Sequence, residues 1–143
     1  MTGGVCDRAE VTGIAVGKTA DALFFLHTWK QTAAWTAPAS GDTTPPSAWN
    51  YVVHYADGKV VNVPVRINDG VAHWLTKDPH GLPHAVVAWA AACGTGTQAV
   101  AYQMQWTNPR PEVVISTIDV AYDAAVGNHY GVPVVLAISA AHQ

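Results

Sequence analysis

Alternation of apolar and polar residues with a period of two runs through most of the chain. In Val61-Asn62-Val63-Pro64-Val65-Arg66-Ile67 every odd position is apolar while Asn62, Pro64 and Arg66 alternate with them. Such a pattern predicts a strand buried on one face, because successive side chains of a strand point to opposite sides. Pro64 cannot donate to a ladder, which places that strand at an edge or a bulge. Upstream, Trp49-Asn50-Tyr51-Val52-Val53-His54-Tyr55 is rich in β-branched and aromatic residues, and Ala56-Asp57-Gly58-Lys59 between the two runs supplies the Asp-Gly of a tight hairpin.

The same alternation recurs in Val100, Tyr102, Met104 and Trp106, and again in Val132, Val134, Leu136 and Ile138. Two further runs, Ala22 to Trp29 and Ala85 to Ala90, are apolar on both faces and predict central strands covered on both sides. Val11 to Val16 and Val113 to Val120 complete about eight strands, and no window shows a capped helix longer than a turn or two. The fold class predicted is all-β, an antiparallel β-sandwich of the jelly-roll kind with no substantial helix.

With 143 residues the whole chain, 1–143, reads as a single β-sandwich domain, since its Gly/Pro-rich stretches are too short to be interdomain linkers. Half of the residues are apolar and only 12% are charged, a composition that excludes disorder and implies a nearly neutral surface. The net charge is −3 and the basic residues are scattered singly, which argues against nucleic acid or an anionic membrane as partner. No apolar run approaches the roughly 20 residues that span a bilayer. Met1 to Asp7 lacks the basic and apolar regions of a secretory leader, so an extracellular or periplasmic location is expected only if the native chain carries a leader missing here. Cys6 and Cys93, outside any Cys-x-x-Cys spacing, are expected to be free thiols.

Catalytic signatures are sparse. Seven histidines are many for this length, yet none forms a His-x-His or His-Glu-x-x-His spacing, so a metal site would have to be assembled from distant residues such as His27, His54 and His73. Glutamate is limited to Glu10 and Glu112, and several aspartates have plain turn or loop positions, which leaves Asp69, Asp119 and Asp123 as conceivable acids. No serine sits in a Gly-x-Ser-x-Gly elbow. No cofactor is expected, although a calcium ion stapling a loop would leave little trace in the sequence.

Aromatic residues carry more information. Six Trp and five Tyr stand against two Phe, a skew toward rings with a polar handle, which suit a surface that is apolar on one side and wet on the other. Trp35, Trp49, Trp74 and Tyr130 fall at strand ends or in loops, whereas Trp89 reads as core. Arg66, Asn68, Asp69 and His73 cluster just before Trp74, and polar groups beside a ring are what a hydroxyl-rich ligand needs. The ligand-binding set expected is therefore Trp35, Arg66, Asn68, Asp69, His73, Trp74 and Tyr130, the rings stacking and the others holding hydroxyls.

Several segments taken in order carry a resemblance: Gly13 to Thr28, Tyr51 to Gly58, the strand from Val63-Pro64-Val65 onward to Trp74, Val87-Ala88-Trp89, and Trp106-Thr107-Asn108-Pro109-Arg110-Pro111 followed by Ile115 and Ile118-Asp119. Over roughly residues 11 to 140 the chain resembles the jelly-roll, galactose-binding-like modules appended to bacterial polysaccharide-degrading enzymes. The resemblance implies a carbohydrate-binding accessory domain without catalysis, whose partner is a polysaccharide or oligosaccharide. It also implies that a family strand preceding Gly13 is missing here, so that either the chain is a fragment or an open sheet edge recruits another copy, giving a homo-oligomer. It brings no residue assignments. The competing expectations are a small glycoside hydrolase using Asp69 and Asp119, a metal-dependent enzyme using His27, His54 and His73, and a purely structural oligomerisation domain.

Overall fold

A computed structural model describes residues 10–122 and 130–142. Each of the expected strands forms: β1 (Glu10–Lys18), β2 (Ala22–Gln31), β3 (Ser47–Tyr55), β4 (Val60–Arg66), β6 (Val86–Ala92), β7 (Gln98–Thr107), β8 (Ile115–Ala121) and β9 (Gly131–Ala141). A two-residue strand, β5 (Leu75–Thr76), is added, and no helix occurs among the described residues. The strands make two antiparallel sheets, β1-β8-β3-β4 and one in which β7 is flanked by β6 on one side and by β2 and β5 on the other, with β9 beyond β2. The chain is an all-β sandwich.

Alternation decides what lies between the sheets. Leu23, Phe25, His27 and Trp29 of β2 and Trp49, Tyr51, Val53 and Tyr55 of β3 all face inward, and all are buried. Phe25 stacks on Tyr51 at 3.8 Å between ring centroids, and Trp29 lies 6.3 Å from Trp49. Trp49, which the sequence places at a strand end, is thus a core residue. Pro64 sits on β4, an edge strand, as its missing N–H requires. Gly58, at φ 89°, makes the β3–β4 hairpin turn that a Cβ would strain.

Three expectations need correction. On β9, Val134 and Leu136, expected to share a buried face with Ile138, are exposed, because the bulge opposite Leu26 and His27 shifts the alternation and leaves Val135 and Ile138 packed on the core. The Ala85–Ala90 run does not become a central strand: β6 pairs only with β7 and is mostly exposed. Trp89 is consequently 55% exposed, not core. A residue run that is apolar on both faces specifies burial without saying what supplies the cover, and among the described residues no second layer covers β6.

Two of the polar links that cross the sandwich run through β3 tyrosines. The Tyr51 hydroxyl lies 2.7 Å from Nδ1 of the fully buried His27, whose Nε2 is 2.8 Å from the Gly70 carbonyl. A carbonyl only accepts, so Nε2 carries the proton and Nδ1 accepts from Tyr51. Burial pushes the His27 pKa down to about 4 against the opposing Gly70 hydrogen bond, keeping the ring neutral. A Cβ at Gly70 would meet Met104 Sδ at 2.9 Å and Val65 Cγ1 at 3.3 Å, so those side chains would have to give way. At the other link Tyr55 donates to Asn108 Oδ1 at 2.6 Å, and Asn108 Nδ2 donates to the Ala20 carbonyl at 2.7 Å.

Candidate functional site

All seven residues of the expected ligand-binding set fall at one end of the sandwich. Arg66 is the last residue of β4, Asn68 to Trp74 lie in the β4–β5 connection, Trp35 follows β2, and Tyr130 immediately precedes β9. The contact of Trp29, late in β2, with Trp49, early in β3, brings these strand ends together.

Within that end the residues separate into three groups. Asn68 and His73 line one cleft of about 320 Å³, together with Gln31, Thr76, His80 and Tyr102. Trp74 adjoins it, its ring edge-on to His73 at 6.3 Å between centroids. Asp69 and Arg66 are not among the cleft's lining and hold partners of their own: the Asp69 carboxylate accepts from His84 Nδ1 at 2.8 and 2.9 Å, and Arg66 Nη1 donates to the Pro45 carbonyl at 3.0 Å. Trp35 and Tyr130 pack against the core, and the Tyr130 carbonyl accepts from the amides of Thr32 and Ala33.

Local structure fixes the cleft walls. The Trp74 amide donates to the Trp29 carbonyl while the Trp74 carbonyl accepts from Val100, so the 73–76 segment is wedged between β2 and β7. Gln31 donates its backbone N–H to His73 Nδ1 at 3.0 Å, which leaves Nε2 as the protonated nitrogen of the neutral ring. Burial, helped by the Lys30 charge, holds the His73 pKa below its ordinary value and so favours that neutral form. Asn68 adopts φ 59°, the left-handed conformation that Asn tolerates best after glycine, and its amide closes a turn onto the Val71 carbonyl. Amides, imidazoles and hydroxyls thus share the cleft with Ala72, Leu75, Leu82 and Pro83, and among the described residues no carboxylate or lysine lines it. Such a set donates and accepts hydrogen bonds to hydroxyls and offers no strong electrostatic preference for an ion.

The residues of the competing catalytic readings are dispersed. His27 is inside the sandwich, His54 alternates with buried Val53 and Tyr55 and therefore faces outward from its sheet, and His73 lines the cleft. Among the described residues no three His, Cys, Asp or Glu are grouped to hold a metal ion. Asp119 is on the outer face of β8, where it accepts from His54 Nε2 at 2.6 Å and from the Gly13 amide at 2.8 Å, far in topology from the β4–β5 connection that carries Asp69. Burial alone would raise Asp119, but the Gly13 and His54 hydrogen bonds hold it below the ordinary carboxylate value. Asp123 lies outside the described residues, as does Cys6, while Cys93 is an exposed free thiol.

Sequence reasoning missed Gln31, Thr76, His80 and Tyr102 as cleft residues. They come from β2, β5, the loop after it and β7, and only the wedge at 73–76 brings them together. Comparison with protein-family models, with curated protein sequences and with solved structures gave no match.

Proposed function

We propose that the chain is a non-catalytic carbohydrate-binding module that holds one sugar unit of a polysaccharide or oligosaccharide in the cleft bounded by Asn68, His73 and Thr76. The observation that carries this reading is the neutral hydrogen-bonding lining beside the Trp74 ring. The apolar C–H face of a sugar packs on an indole, and its hydroxyls need paired donors and acceptors of the kind that Asn68, Gln31 and the His73 Nε2–H supply. A volume of about 320 Å³ lies at the small end of ligand sites, which suits one ring rather than an extended chain. The order of segments resembling galactose-binding-like jelly-roll modules points the same way.

The test is affinity electrophoresis on a panel of soluble polysaccharides, with reducing ends assayed in parallel. Retardation of the wild type without new reducing ends is expected, weakened about tenfold by Trp74→Ala. Unchanged retardation in both Trp74→Ala and His73→Ala, or release of reducing ends, overturns the reading.

A further inference from the structure

The two outer faces of the sandwich differ in chemistry. On the sheet that contains β3 the outward positions mix Asn50, His54, Asn62, Thr117 and Asp119 with Val52 and Val60, a face interrupted by polar and charged groups. On the other sheet, inward Leu23, Phe25, His27 and Trp29 force Phe24, Leu26 and Thr28 outward. Cross-strand partners share a face, so Gln105 joins Phe24, Gln103 joins Leu26 and Val86, and Ala101 joins Trp89. On the far strand Val134 is opposite Thr28, and Leu136 occupies the bulge beside Leu26. Four of the large apolar side chains that stand exposed, Val86 58%, Trp89 55%, Val134 43% and Leu136 56%, belong to this one sheet. Lys30 is the charged residue that β2 adds to the face, at its end.

We infer that this outer face is an interface with a second copy of the chain, the two sheets packing face to face about a two-fold axis. A broad exposed apolar face marks an interaction surface, and the described chain leaves Val86, Trp89, Val134 and Leu136 of this one uncovered. A second copy fits because the face carries almost no charge, so two copies meet without repulsion. Its breadth fits as well. Four strands spaced ~4.8 Å apart and seven to eleven residues long present roughly 500 Å² in plane before side-chain relief is counted, the order of the ~800 Å² each partner of a standard interface buries. The isologous arrangement places Leu26, at the centre of β2, near the axis of the contact and Trp89 toward its margin.

Light scattering coupled to size-exclusion chromatography across a dilution series tests this on the full chain. The wild type is expected to run at twice the monomer mass. Leu26→Lys and Trp89→Lys should each weaken dimerisation on the order of 100-fold, while Val60→Lys, on the opposite sheet, leaves it unchanged. The second position guards against a folding defect at the first, because Trp89 is already exposed. A wild type that stays monomeric at every concentration overturns the inference, as does a dimer that survives both substitutions. A monomer whose polysaccharide retardation is lost in Trp89→Lys also overturns it, by making the face a glycan platform. The association is measured without sugar, so its failure leaves the cleft reading standing and the reverse also holds.

Discussion

The two ends of the sandwich use polar side chains in opposite ways. At the end where β7 meets the β3–β4 hairpin, Asn108 is 3% exposed and its side chain is consumed by structure: Oδ1 accepts from Tyr55 and the Arg110 amide, and Nδ2 donates to the carbonyls of Ala20 and Arg110. Arg110 then stacks its guanidinium 4.5 Å above the Tyr55 ring and pairs with Asp57. At the other end, Asn68, His73 and His80 face a cleft and Thr76 lines it with them. The lesson is that substitutions at the first end should cost stability, whereas substitutions at the second should cost binding. Groups already paired inside the protein have nothing left to offer a ligand.

The largest effect expected is at Asn108. Asn108→Ala leaves the buried Tyr55 hydroxyl and the Ala20 carbonyl without their partner, a loss of roughly 3 kcal/mol in denaturant unfolding. Polysaccharide affinity of the folded fraction should not change, and a selective loss of affinity at full stability would erase the distinction between the ends.

Acid comes next, through His27, whose link runs from β3 to Gly70 in the loop that carries the cleft. Its folded pKa of about 4 lies below the unfolded value of 6.5. Above pH 6.5 both states are neutral and the histidine adds no pH dependence. As pH falls from 6.5 to 4 the unfolded chain takes up a proton that the folded chain refuses, so stability declines by roughly 3 kcal/mol and then levels from this source. His27→Gln, measured by urea unfolding at pH 7 and pH 4.5, should lower stability at neutral pH and remove most of the slope. An identical slope in wild type and variant would refute the assignment.

Cleft residues follow, with an effect on binding alone. His73→Ala and Asn68→Gly should weaken polysaccharide retardation about tenfold while changing unfolding free energy by less than about 1 kcal/mol. The smallest effect is at the exposed pair at the hairpin: Asp57→Asn removes the carboxylate that Arg110 holds down at about 2, yet solvent screens it, and the melting temperature should shift within measurement error.

How much of this was legible in the sequence follows the same division. Period-two patterning, continuous apolar runs and β-branched or aromatic content together located the eight long strands, and Asp57-Gly58 located the hairpin, because all depend on local sequence. β5 was illegible, since Leu75 and Thr76 become a strand only by lying between β2 and β7. Strand-end position predicted that the seven expected site residues share one end of the sandwich, where they lie, but could not separate Asn68 and His73, which line the cleft, from Trp35 and Tyr130, which pack inward. The tryptophans show the limit most clearly. Trp49 starts a strand and is buried, whereas Trp89 sits amid alanines and valines and is exposed. Apolar neighbours tell which residues want cover; which layer provides it is a tertiary fact.

The most direct test of the central claim is a two-dimensional ¹H–¹⁵N titration with an oligosaccharide cut from a polysaccharide that retards the protein. Progressive shifts at the amides of Asn68, His73 and Trp74, with Tyr55, Asn108 and Arg110 still, are the result predicted. Shifts centred on Asn108 and Arg110, on Trp89, or at no site at all would contradict it.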